Sequence, residues 1–345
     1  MTEKSSAPFL EACRRRPTSF TPVWLMRQAG RYMPEYRALR ARHGFLELCK
    51  TPAAAAEATL QPVDRLGVDA AILFADILLV LEPLGVGLEY TPGDGPRIHR
   101  PIRSAEDVKR LPRVAVDDAL SFVFETVKLA RKGLSERVPL IGFAGAPFTL
   151  ASYLIEGGPS REFLATKRFM RDEPAAWDAL MTALADITAE YLGGQIAAGA
   201  QAVQLFDSWV GTLAPGDYRD SVLPHSRRVI QRLAASVPVI HFGTGTAGLL
   251  HLMTAAGGDV IGLDWRVEIG SVWERLGYGV AVQGNLDPAV LLARVADIRR
   301  GVKAILDAVE GRPGHIFNLG HGVHKETPVD HVAALVDLVH ELSGR

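Results

Sequence analysis

The strongest constraint on the fold is a repeated order of a short apolar run, a polar or glycine-rich turn and an amphipathic helix. Continuous apolar character over a few residues is typical of parallel strands that are buried on both faces. Eight such runs follow one another along the chain: Val23–Met26, Ala70–Phe74, Leu140–Phe143, Ala202–Phe206, Val237–Phe242, Val260–Leu263, Val280–Val282 and Ile316–Leu319. Eight strands that alternate with helices favour a closed parallel barrel over an open sheet. The sequence therefore predicts an α/β protein built as a (β/α)8, or TIM, barrel.

Helical patterns separate these runs, and one segment breaks the alternation. The stretch Pro174–Ala198 is rich in alanine and leucine, and Pro328–Leu342 has an apolar stripe of helical period. The segment Leu84–Pro101 is instead rich in glycine and proline, and its apolar residues alternate with polar ones. We predict that this segment forms a hairpin inserted after strand two. Because no linker interrupts the 345 residues, we expect a single domain over residues 1–345.

Charge and hydropathy exclude two classes of partner. The chain has 38 basic and 39 acidic residues and a formal net charge of −1, which gives no bulk field for nucleic acid or for an anionic membrane. The first residues lack the apolar core of a signal peptide. The uncharged stretch Val138–Ile155 contains prolines and glycines that break it into a strand, a turn and a helix start. We therefore expect a cytoplasmic protein that binds neither nucleic acid nor membranes.

The spacing of cysteine and histidine predicts no metal site and no disulfide framework. The chain has two cysteines, Cys13 and Cys49, and no CxxC or HExxH motif. His321 and His324 are three residues apart, which suits metal ligands, but the sequence offers no third ligand nearby. A loop histidine that forms hydrogen bonds fits this pattern better. We therefore expect no metal.

Polar residues gather where the predicted strands end. In a (β/α)8 barrel the chemistry takes place just beyond the carboxyl ends of the strands. The residues placed there are Arg27, Gln28 and Arg31 after strand one, Asp76 after strand two, Tyr153 in the helix after strand three, Asp207 and Ser208 after strand four, Asp264 after strand six, Gln283 and Asn285 after strand seven, and Asn318 and His321 after strand eight. We expect these side chains to line a common mouth.

The arginines and the aspartate have the clearest chemistry, and each has a structural alternative. The guanidinium forks of Arg27 and Arg31 suit bidentate binding of carboxylate or phosphate, although surface salt bridges are the common use of such a pair. Asp76 lies among apolar neighbours, so its carboxylate must be paired or must line solvent. Its alternative is a structural acid that caps a helix. Ser208 lacks the GxSxG elbow of a nucleophilic serine.

One glycine-rich turn imitates a dinucleotide-binding motif. Gly243–Gly248 matches GxGxxG, and Asp264 ends the next strand near the distance expected of a ribose-binding acid. However, four predicted strands precede the turn and three follow it. It is therefore expected to be a turn in the middle of a barrel rather than the first unit of a nucleotide-binding fold.

Several motifs, taken together and in order, resemble those of the uroporphyrinogen decarboxylase family. The run Pro22–Arg37, PVWLMRQAGRYMPEYR, resembles the N-terminal signature of the family, and Gly142–Leu150, GFAGAPFTL, resembles its second signature. Shorter blocks similar to those of the family are Phe74–Leu78, Leu205–Ser208, Gly262–Trp265, Gln283–Pro288 and Asn318–Gly322. The resemblance extends over residues 8 to 343, and the first signature is long and specific.

The resemblance implies a homodimeric (β/α)8 barrel that removes four acetate carboxyls from uroporphyrinogen, giving coproporphyrinogen and four CO2 without metal or cofactor. It implies that Asp76 accepts hydrogen bonds from the pyrrole N–H groups. Arg27, Gln28 and Arg31 are expected to bind substrate, the two arginines through its carboxylates. Further polar contacts would come from Tyr153, Ser208 and His321.

The catalytic residues implied are Asp76 and Arg27. Asp76 would stabilise a cationic pyrrole, which is an electrostatic role. The identity of the proton donor stays open, because the family points to the region of Arg27 while a guanidinium is a poor acid. A relay through water or through a neighbouring carboxyl of the substrate is the alternative.

Three other functions compete with this interpretation. A corrinoid- or thiol-dependent methyltransferase would share the fold but needs zinc held by histidine and cysteine. A nicotinamide oxidoreductase would depend on Gly243–Gly248. A porphyrin-binding scaffold without activity would use the same anion-binding residues.

Overall fold

A seven-stranded parallel sheet forms the centre of the molecule in a computed structural model that describes residues 7–91, 95–233 and 236–344. The strands of the chain are β1 Ala71–Ile72, β2 Leu88–Thr91, β3 Gly95–Ile98, β4 Leu140–Gly145, β5 Ala202–Asp207, β6 Val239–Gly243, β7 Val260–Gly262, β8 Ala281–Gln283 and β9 His315–Ile316. The sheet has the order β1-β4-β5-β6-β7-β8-β9, and each strand is parallel to its neighbours. The α/β class and the parallel order predicted from the apolar runs are thus confirmed.

The first apolar run lies between the two ends of this sheet. Val23 forms a parallel bridge with Phe317, and the amide of Trp24 donates to the carbonyl of Phe317 at 3.3 Å. On its other side, the carbonyl of Val23 accepts a hydrogen bond from the amide of Asp69 at 2.8 Å, two residues before β1. The segment that delivers Arg27 is therefore held by backbone hydrogen bonds to both edges.

Helices surround the sheet. They are α1 Pro8–Cys13, α2 Pro34–Arg42, α3 Phe45–Lys50, α4 Pro52–Leu66, α5 Ala105–Lys109, α6 Val116–Ala119, α7 Ser121–Gly133, α8 Pro147–Glu156, α9 Leu164–Asp172, α10 Pro174–Ala198, α11 Pro215–Ser221, α12 Leu223–Leu233, α13 Leu250–Ala256, α14 Ile269–Arg275, α15 Val295–Val309 and α16 Val329–Ser343. Short 3-10 turns occupy Leu79–Leu84, Val210–Thr212 and Pro288–Leu292. The predicted helices at 174–198 and 328–342 are confirmed within a residue of their ends.

Two apolar clusters divide the interior. Alternate strand residues, among them Ile141, Ala202, Ile240 and Phe242, form an inner cluster with Phe9 of α1. The intervening strand residues pack outward against the helices in a larger cluster. Both faces of each strand are thus buried, which explains why the sequence shows continuous apolar runs and no alternation.

Helix α8 illustrates how local sequence fixes an element near the mouth. Pro147 opens the helix directly after β4, where its fixed φ and missing amide suit the first helical turn. Gly157 ends the helix with φ 85°, a conformation that suits glycine, and its amide donates to the carbonyl of Tyr153. The uncharged stretch 138–155 is therefore a strand and a helix. Among the residues described, no helix is both long enough and apolar enough to cross a membrane.

Strands β2 and β3 pair with each other and stand apart from the main sheet. The register is antiparallel, from Leu88 opposite Ile98 to Thr91 opposite Gly95, and the tip at residues 92–94 lies outside the described residues. The amide of Ile98 donates to the carbonyl of Gly157 at 2.9 Å, and that of Ile102 donates to the carbonyl of Leu154 at 2.9 Å. The strand pair is therefore fastened to the end of α8.

Candidate active site

Asp76 follows the second apolar run, and one of its carboxylate oxygens is bound within the protein. Oδ1 accepts a hydrogen bond from the amide of Leu78 at 2.8 Å and a second from the hydroxyl of Tyr90. No described residue donates to Oδ2. The side chain is half-buried. The carboxylate thus supports the turn before the 3-10 segment Leu79–Leu84 and still keeps one oxygen for another donor.

Burial and hydrogen bonding act on Asp76 in opposite directions. Burial raises the pKa of its carboxyl above the ordinary value, while the hydrogen bonds from Tyr90 and Leu78 and the charge of Arg27 lower it. Burial prevails, so the carboxyl releases its proton less readily than an exposed aspartate. The ionised form consequently depends on the donors around it.

Arg27 has an uncommon backbone conformation and an exposed side chain. Its φ is 58°, in the left-handed region that non-glycine residues rarely adopt. The stem of the side chain runs over Gly322, where a Cβ atom would come within 2.7 Å of its Cγ. The charge of Arg27 lowers the pKa of Asp76, of Tyr153 and of His321. Arg27 therefore lies among the residues that the sequence analysis assigned to the mouth.

Neighbouring residues hold the backbone of Arg27 in place. The amide of Met26 donates to Asn318 Oδ1 at 3.1 Å, and the carbonyl of Met26 accepts from the amide of Val323 at 2.9 Å. The side chain of Gln28 accepts from the amide of Leu25 at 3.1 Å and donates to the carbonyl of Ala70 at 3.2 Å. Gln28 is fully buried, so the structure uses its side-chain amide as a bridge between the first apolar run and the residue before β1. Its contact with substrate stays a prediction.

Arg31 resembles Arg27 in being exposed and without a carboxylate partner. Neither arginine forms a salt bridge with a described acidic residue. The carbonyl of Arg31 accepts a hydrogen bond from Arg37 at 3.0 Å, which fixes the turn while leaving the guanidinium unpaired. The surface salt bridges considered as an alternative use of this arginine pair are absent from the described residues.

Tyr153 and Ser208 offer hydroxyl groups on neighbouring elements. Tyr153, on α8, is half-buried, and its ring packs edge-on against Trp209 with 6.1 Å between centroids. Burial, with a contribution from the charge of Asp76, raises the pKa of Tyr153 to about 12, so the hydroxyl is a donor at neutral pH. Ser208 follows β5, and its carbonyl accepts from the hydroxyl of Thr244 at 2.7 Å. The Ser208 hydroxyl itself has no partner among the described residues.

His321 follows β9 and is half-buried beside Trp265, with 6.1 Å between ring centroids. Burial and then the charges of Arg27 and Arg266 lower the pKa of His321 to about 4. The imidazole is therefore neutral at pH 7 and offers one donor and one acceptor rather than a positive charge. The expectation of a hydrogen-bonding loop histidine stays a prediction. The described residues contain no group of three histidine, cysteine, aspartate or glutamate side chains that could hold a metal ion.

Asp207 does not face the mouth, contrary to the expectation from its place at a strand end. Its carboxylate is fully buried on the outer face of β5, where Oδ2 lies 3.2 Å from Nε2 of His241 and 3.4 Å from the hydroxyl of Ser226. The side chains of a strand alternate between faces, and Phe206 occupies the inner one. Asp207 is therefore part of the contact between the strands and α12.

The glycine-rich turn Gly243–Gly248 packs closely against Gly211. A Cβ at Gly211 would collide with the backbone of this turn, 2.7 Å from the carbonyl oxygen of Gly245. The amide of Gly245 donates to Asp264 Oδ2 at 2.6 Å, and Arg266 donates to the same oxygen at 2.8 Å. The acid that would bind a ribose is thus occupied by the protein, as expected for a turn within a barrel.

Two residues near the site were missed by the sequence analysis. Tyr90 contacts Asp76 from the β2–β3 pair, and only its place in an alternating segment was noticed. Arg266 stacks on Trp265, with its Cζ 3.9 Å from the ring centroid, and lies close enough to His321 to lower its pKa. A search for arginines after every strand, rather than after strand one alone, would have found Arg266.

Comparisons with known proteins identify the family to which this chain is similar. The family model of uroporphyrinogen decarboxylase (URO-D) matches residues 4–342. The uroporphyrinogen decarboxylase of Carboxydothermus hydrogenoformans is 56% identical over 337 residues, which cover 97% of this chain and 96% of the relative. That of Sorangium cellulosum is 56% identical over 335 residues, with the same coverage of 97% and 96%.

Solved structures with low sequence identity share the fold. A methyltransferase from Methanosarcina mazei superposes with a TM-score of 0.81 at 18% identity and covers 97% of each chain. A putative vitamin-B12 independent methionine synthase from Listeria monocytogenes gives a TM-score of 0.59 at 13% identity, covering 99% of this chain and 100% of that one. At such identities the likeness concerns the fold alone.

Proposed function

The chain belongs to the uroporphyrinogen decarboxylase family, and from this premise we propose how the residues around Asp76 carry out its reaction. The activity is the decarboxylation of uroporphyrinogen in porphyrin and heme biosynthesis. The observation that supports the site is the convergence of one partly satisfied carboxylate, Asp76, with the unpaired guanidinium of Arg27, the neutral hydroxyl of Tyr153 and the neutral imidazole of His321. The proposal covers the roles of these residues, the order of chemical events and the assembly of the protein.

Recognition of the substrate divides between the centre and the rim of the site. Asp76 Oδ2 accepts hydrogen bonds from the pyrrole N–H groups of the macrocycle, since no described residue donates to this oxygen. Arg27 and Arg31 bind acetate and propionate carboxylates through bidentate forks. Uncharged side chains add further hydrogen bonds to the substrate. They are Tyr153, Ser208 and the neutral His321. Gln28 contributes through the backbone that it holds.

The chemistry requires an electron sink, which the pyrrole ring itself supplies. A proton added to the ring carbon beside the acetate-bearing carbon gives a cationic pyrrole. The bond between the acetate methylene and its carboxylate then breaks, CO2 leaves, and the electron pair neutralises the cation. A proton added to the methylene carbon and one lost from the ring restore the pyrrole with a methyl group, so each cycle consumes one proton. Asp76 stabilises the cation electrostatically.

The proton donor is best sought beside Arg27 rather than in its guanidinium. Arginine stays protonated at any working pH and is a poor acid, and Tyr153, with a pKa of about 12, is also a weak donor. His321, with a pKa of about 4, holds no transferable proton as an acid at pH 7. We therefore assign to Arg27 the role of orienting a water molecule or a neighbouring substrate carboxyl that delivers the proton.

The direct test is incubation of the purified protein with uroporphyrinogen. Products with seven, six, five and four carboxyls should appear in succession, and a chain with Asp76, Arg27 and Arg31 all replaced should form none of them. Binding without any product would favour a scaffold. Activity should survive exhaustive chelation. Activity lost on chelation and restored only by zinc would contradict cofactor-free catalysis and favour the methyltransferase mechanism, and stoichiometric NADH binding would favour an oxidoreductase.

We also propose the finer architecture expected from the resemblance. Val23–Met26 acts as the first of eight strands of a closed barrel, in keeping with its hydrogen bonds to Phe317 and Asp69. Residues 1–345 form one domain, and the β2–β3 pair is the hairpin inserted after the second barrel strand. A single cooperative unfolding transition, with the same midpoint for near- and far-ultraviolet circular dichroism, would support one domain.

The assembly and the location of the protein are proposals on the same basis. We infer that the chain acts as a homodimer in the cytoplasm, with a small-molecule substrate and without nucleic acid or membrane partners. Sedimentation at micromolar concentration should give twice the mass of the chain, and a monomeric mass with full activity would contradict the dimer.

A further inference from the structure

Tyr90 makes the one side-chain hydrogen bond that Asp76 receives within the described residues. Its hydroxyl donates to Asp76 Oδ1, the oxygen that also accepts from the amide of Leu78 at 2.8 Å. The two residues are fourteen positions apart, and Tyr90 belongs to a different element, strand β2. The hydroxyl therefore occupies the oxygen that faces the protein and leaves Oδ2 as the acceptor for a substrate.

The position of Tyr90 is fixed by a contact of its ring and by a hydrogen bond that holds its partner strand. Its ring lies 4.7 Å from the ring of Phe45, between centroids, at an angle of 57°. Strand β3, its partner, is fastened to α8 by the hydrogen bond from the amide of Ile98 to the carbonyl of Gly157. Because α8 also carries Tyr153, the two tyrosines are held on connected elements.

The ionisable groups that face Asp76 differ in charge. Arg27, after the first apolar run, is the cation that acts on it. Cys49 of α3, Tyr153 of α8 and Tyr191 of α10 all experience its charge, and burial raises the pKa of each, so they remain neutral. The hydroxyl of Tyr191 has no hydrogen-bond partner. Tyr90 is thus the neutral side chain that acts on the carboxylate by direct donation.

We propose that Tyr90 is a positioning residue for the decarboxylation, whose hydroxyl orients the Asp76 carboxylate and keeps it ionised for the pyrrole N–H groups. The inference rests on the role proposed above for Asp76. A donor to a carboxylate favours the ionised form, and here it opposes the burial that favours the protonated form. Tyr90 itself contacts no reacting atom, and it acts only through Asp76.

The decisive measurement is kcat/KM for uroporphyrinogen as a function of pH in Tyr90→Phe. The substitution keeps the ring against Phe45 and removes only the donor. Because kcat/KM reports the groups of the free enzyme, its acid limb should move to higher pH by about one unit, which lowers kcat/KM about tenfold on the acid side. Activity should recover as the pH rises. A 3-fluorotyrosine at position 90, a more acidic donor, should move the limb in the opposite direction.

Tyr191→Phe is the matched control. It removes a buried tyrosine hydroxyl whose pKa is raised by burial and by the charge of Asp76, but which donates no hydrogen bond. Its pH profile should superimpose on that of the parent chain. In an Asp76→Asn background, Tyr90→Phe should cause no further shift of the profile.

The outcomes separate the two proposals. A Tyr90→Phe profile that coincides with the parent profile, while Asp76→Asn shows the expected fall in turnover, would overturn the inference about Tyr90 and leave the proposed function intact. An Asp76→Asn chain with normal turnover would overturn the role of Asp76 whatever Tyr90→Phe does. A loss in Tyr90→Phe that is equal at every pH would also refute ionisation control, since it would indicate packing alone.

Discussion

Replacing Asp76 by asparagine tests the centre of the proposed site with the least change in shape. The side-chain oxygen of an asparagine can still accept the hydrogen bond from the amide of Leu78, which lies 2.8 Å from Oδ1 in the parent chain. The amide nitrogen must then take the position of Oδ2, where it presents a donor to the pyrrole N–H groups. The substitution thus preserves the local turn and removes both the acceptor and the negative charge.

The size of the effect follows from the role proposed for the carboxylate. Removing one preorganised electrostatic group typically costs about 2.7–4 kcal/mol of transition-state stabilisation. This corresponds to a fall in turnover of about a hundredfold to a thousandfold. Stability should change little, because burial already disfavours the charged form of Asp76. Asp76→Glu should be damaged as well, since one more methylene moves the carboxylate away from both Leu78 and Tyr90.

The assay is single-turnover conversion of uroporphyrinogen to its seven-carboxyl product, together with a thermal melt of each variant. Asp76→Ala serves as the comparison, since it also removes the hydrogen bond to Leu78 and should lower the melting temperature. If Asp76 serves only to support its turn, Asp76→Asn will show near-normal activity per folded molecule, and activity will be lost only with stability. That pattern would refute the electrostatic role.

Two further predictions concern binding and stability. Arg31→Ala should weaken binding of the eight-carboxyl substrate, and Arg31→Lys should restore only part of it because an ammonium lacks the bidentate fork; unchanged binding by titration calorimetry would remove Arg31 from the site. His315 is buried, and burial lowers its pKa to about 4, so its neutral form donates to the carbonyl of Gly284 at 2.9 Å. Since the unfolded chain protonates this histidine near pH 6.5, stability should fall by about 3 kcal/mol between pH 6.5 and pH 4. Urea unfolding of His315→Gln should show a smaller fall, and an equal fall in both chains would contradict the assignment.

Much of the fold could be predicted from the sequence because parallel strands are buried on both faces. Such strands appear as apolar runs, and the runs at 140–143, 202–206 and 260–263 coincide with β4, β5 and β7 to within two residues. The same property hides the direction of each side chain. A run that is apolar throughout does not show which of its residues face the inside of the sheet and which face the helices. Asp207 was therefore placed at the mouth although it faces outward to His241.

The site could be predicted as a set of residue types but not as a network. The carboxyl ends of parallel strands converge, so Arg27, Asp76 and His321 could be brought together by their place in the order of elements. The contact between Tyr90 and Asp76 could not, because it depends on the tertiary placement of the β2–β3 pair. The burial of Gln28 was equally hidden, since a glutamine after a strand is usually exposed.

The backbone of Arg27 suggests that function and stability conflict at this position. A left-handed conformation costs a non-glycine residue about 1–2 kcal/mol, and it persists here because hydrogen bonds fix the residues on either side. The amide and the carbonyl of Met26 are both bound, the first by Asn318 and the second by the amide of Val323. Such strain is often found where a side chain must point toward a ligand.

Comparison of Arg27→Gly with Arg27→Ala should therefore separate the effect of position 27 on stability from its effect on substrate binding. Glycine adopts a φ of 58° at no steric cost, whereas alanine retains the strain, so Arg27→Gly should be more stable than Arg27→Ala by about 1 kcal/mol in urea unfolding. Both variants lose the guanidinium and should bind uroporphyrinogen equally weakly. Of the three chains, only the parent should be fully active. If Arg27→Ala is as stable as Arg27→Gly, the conformation is not strained, and the left-handed turn has no bearing on how Arg27 reaches the substrate.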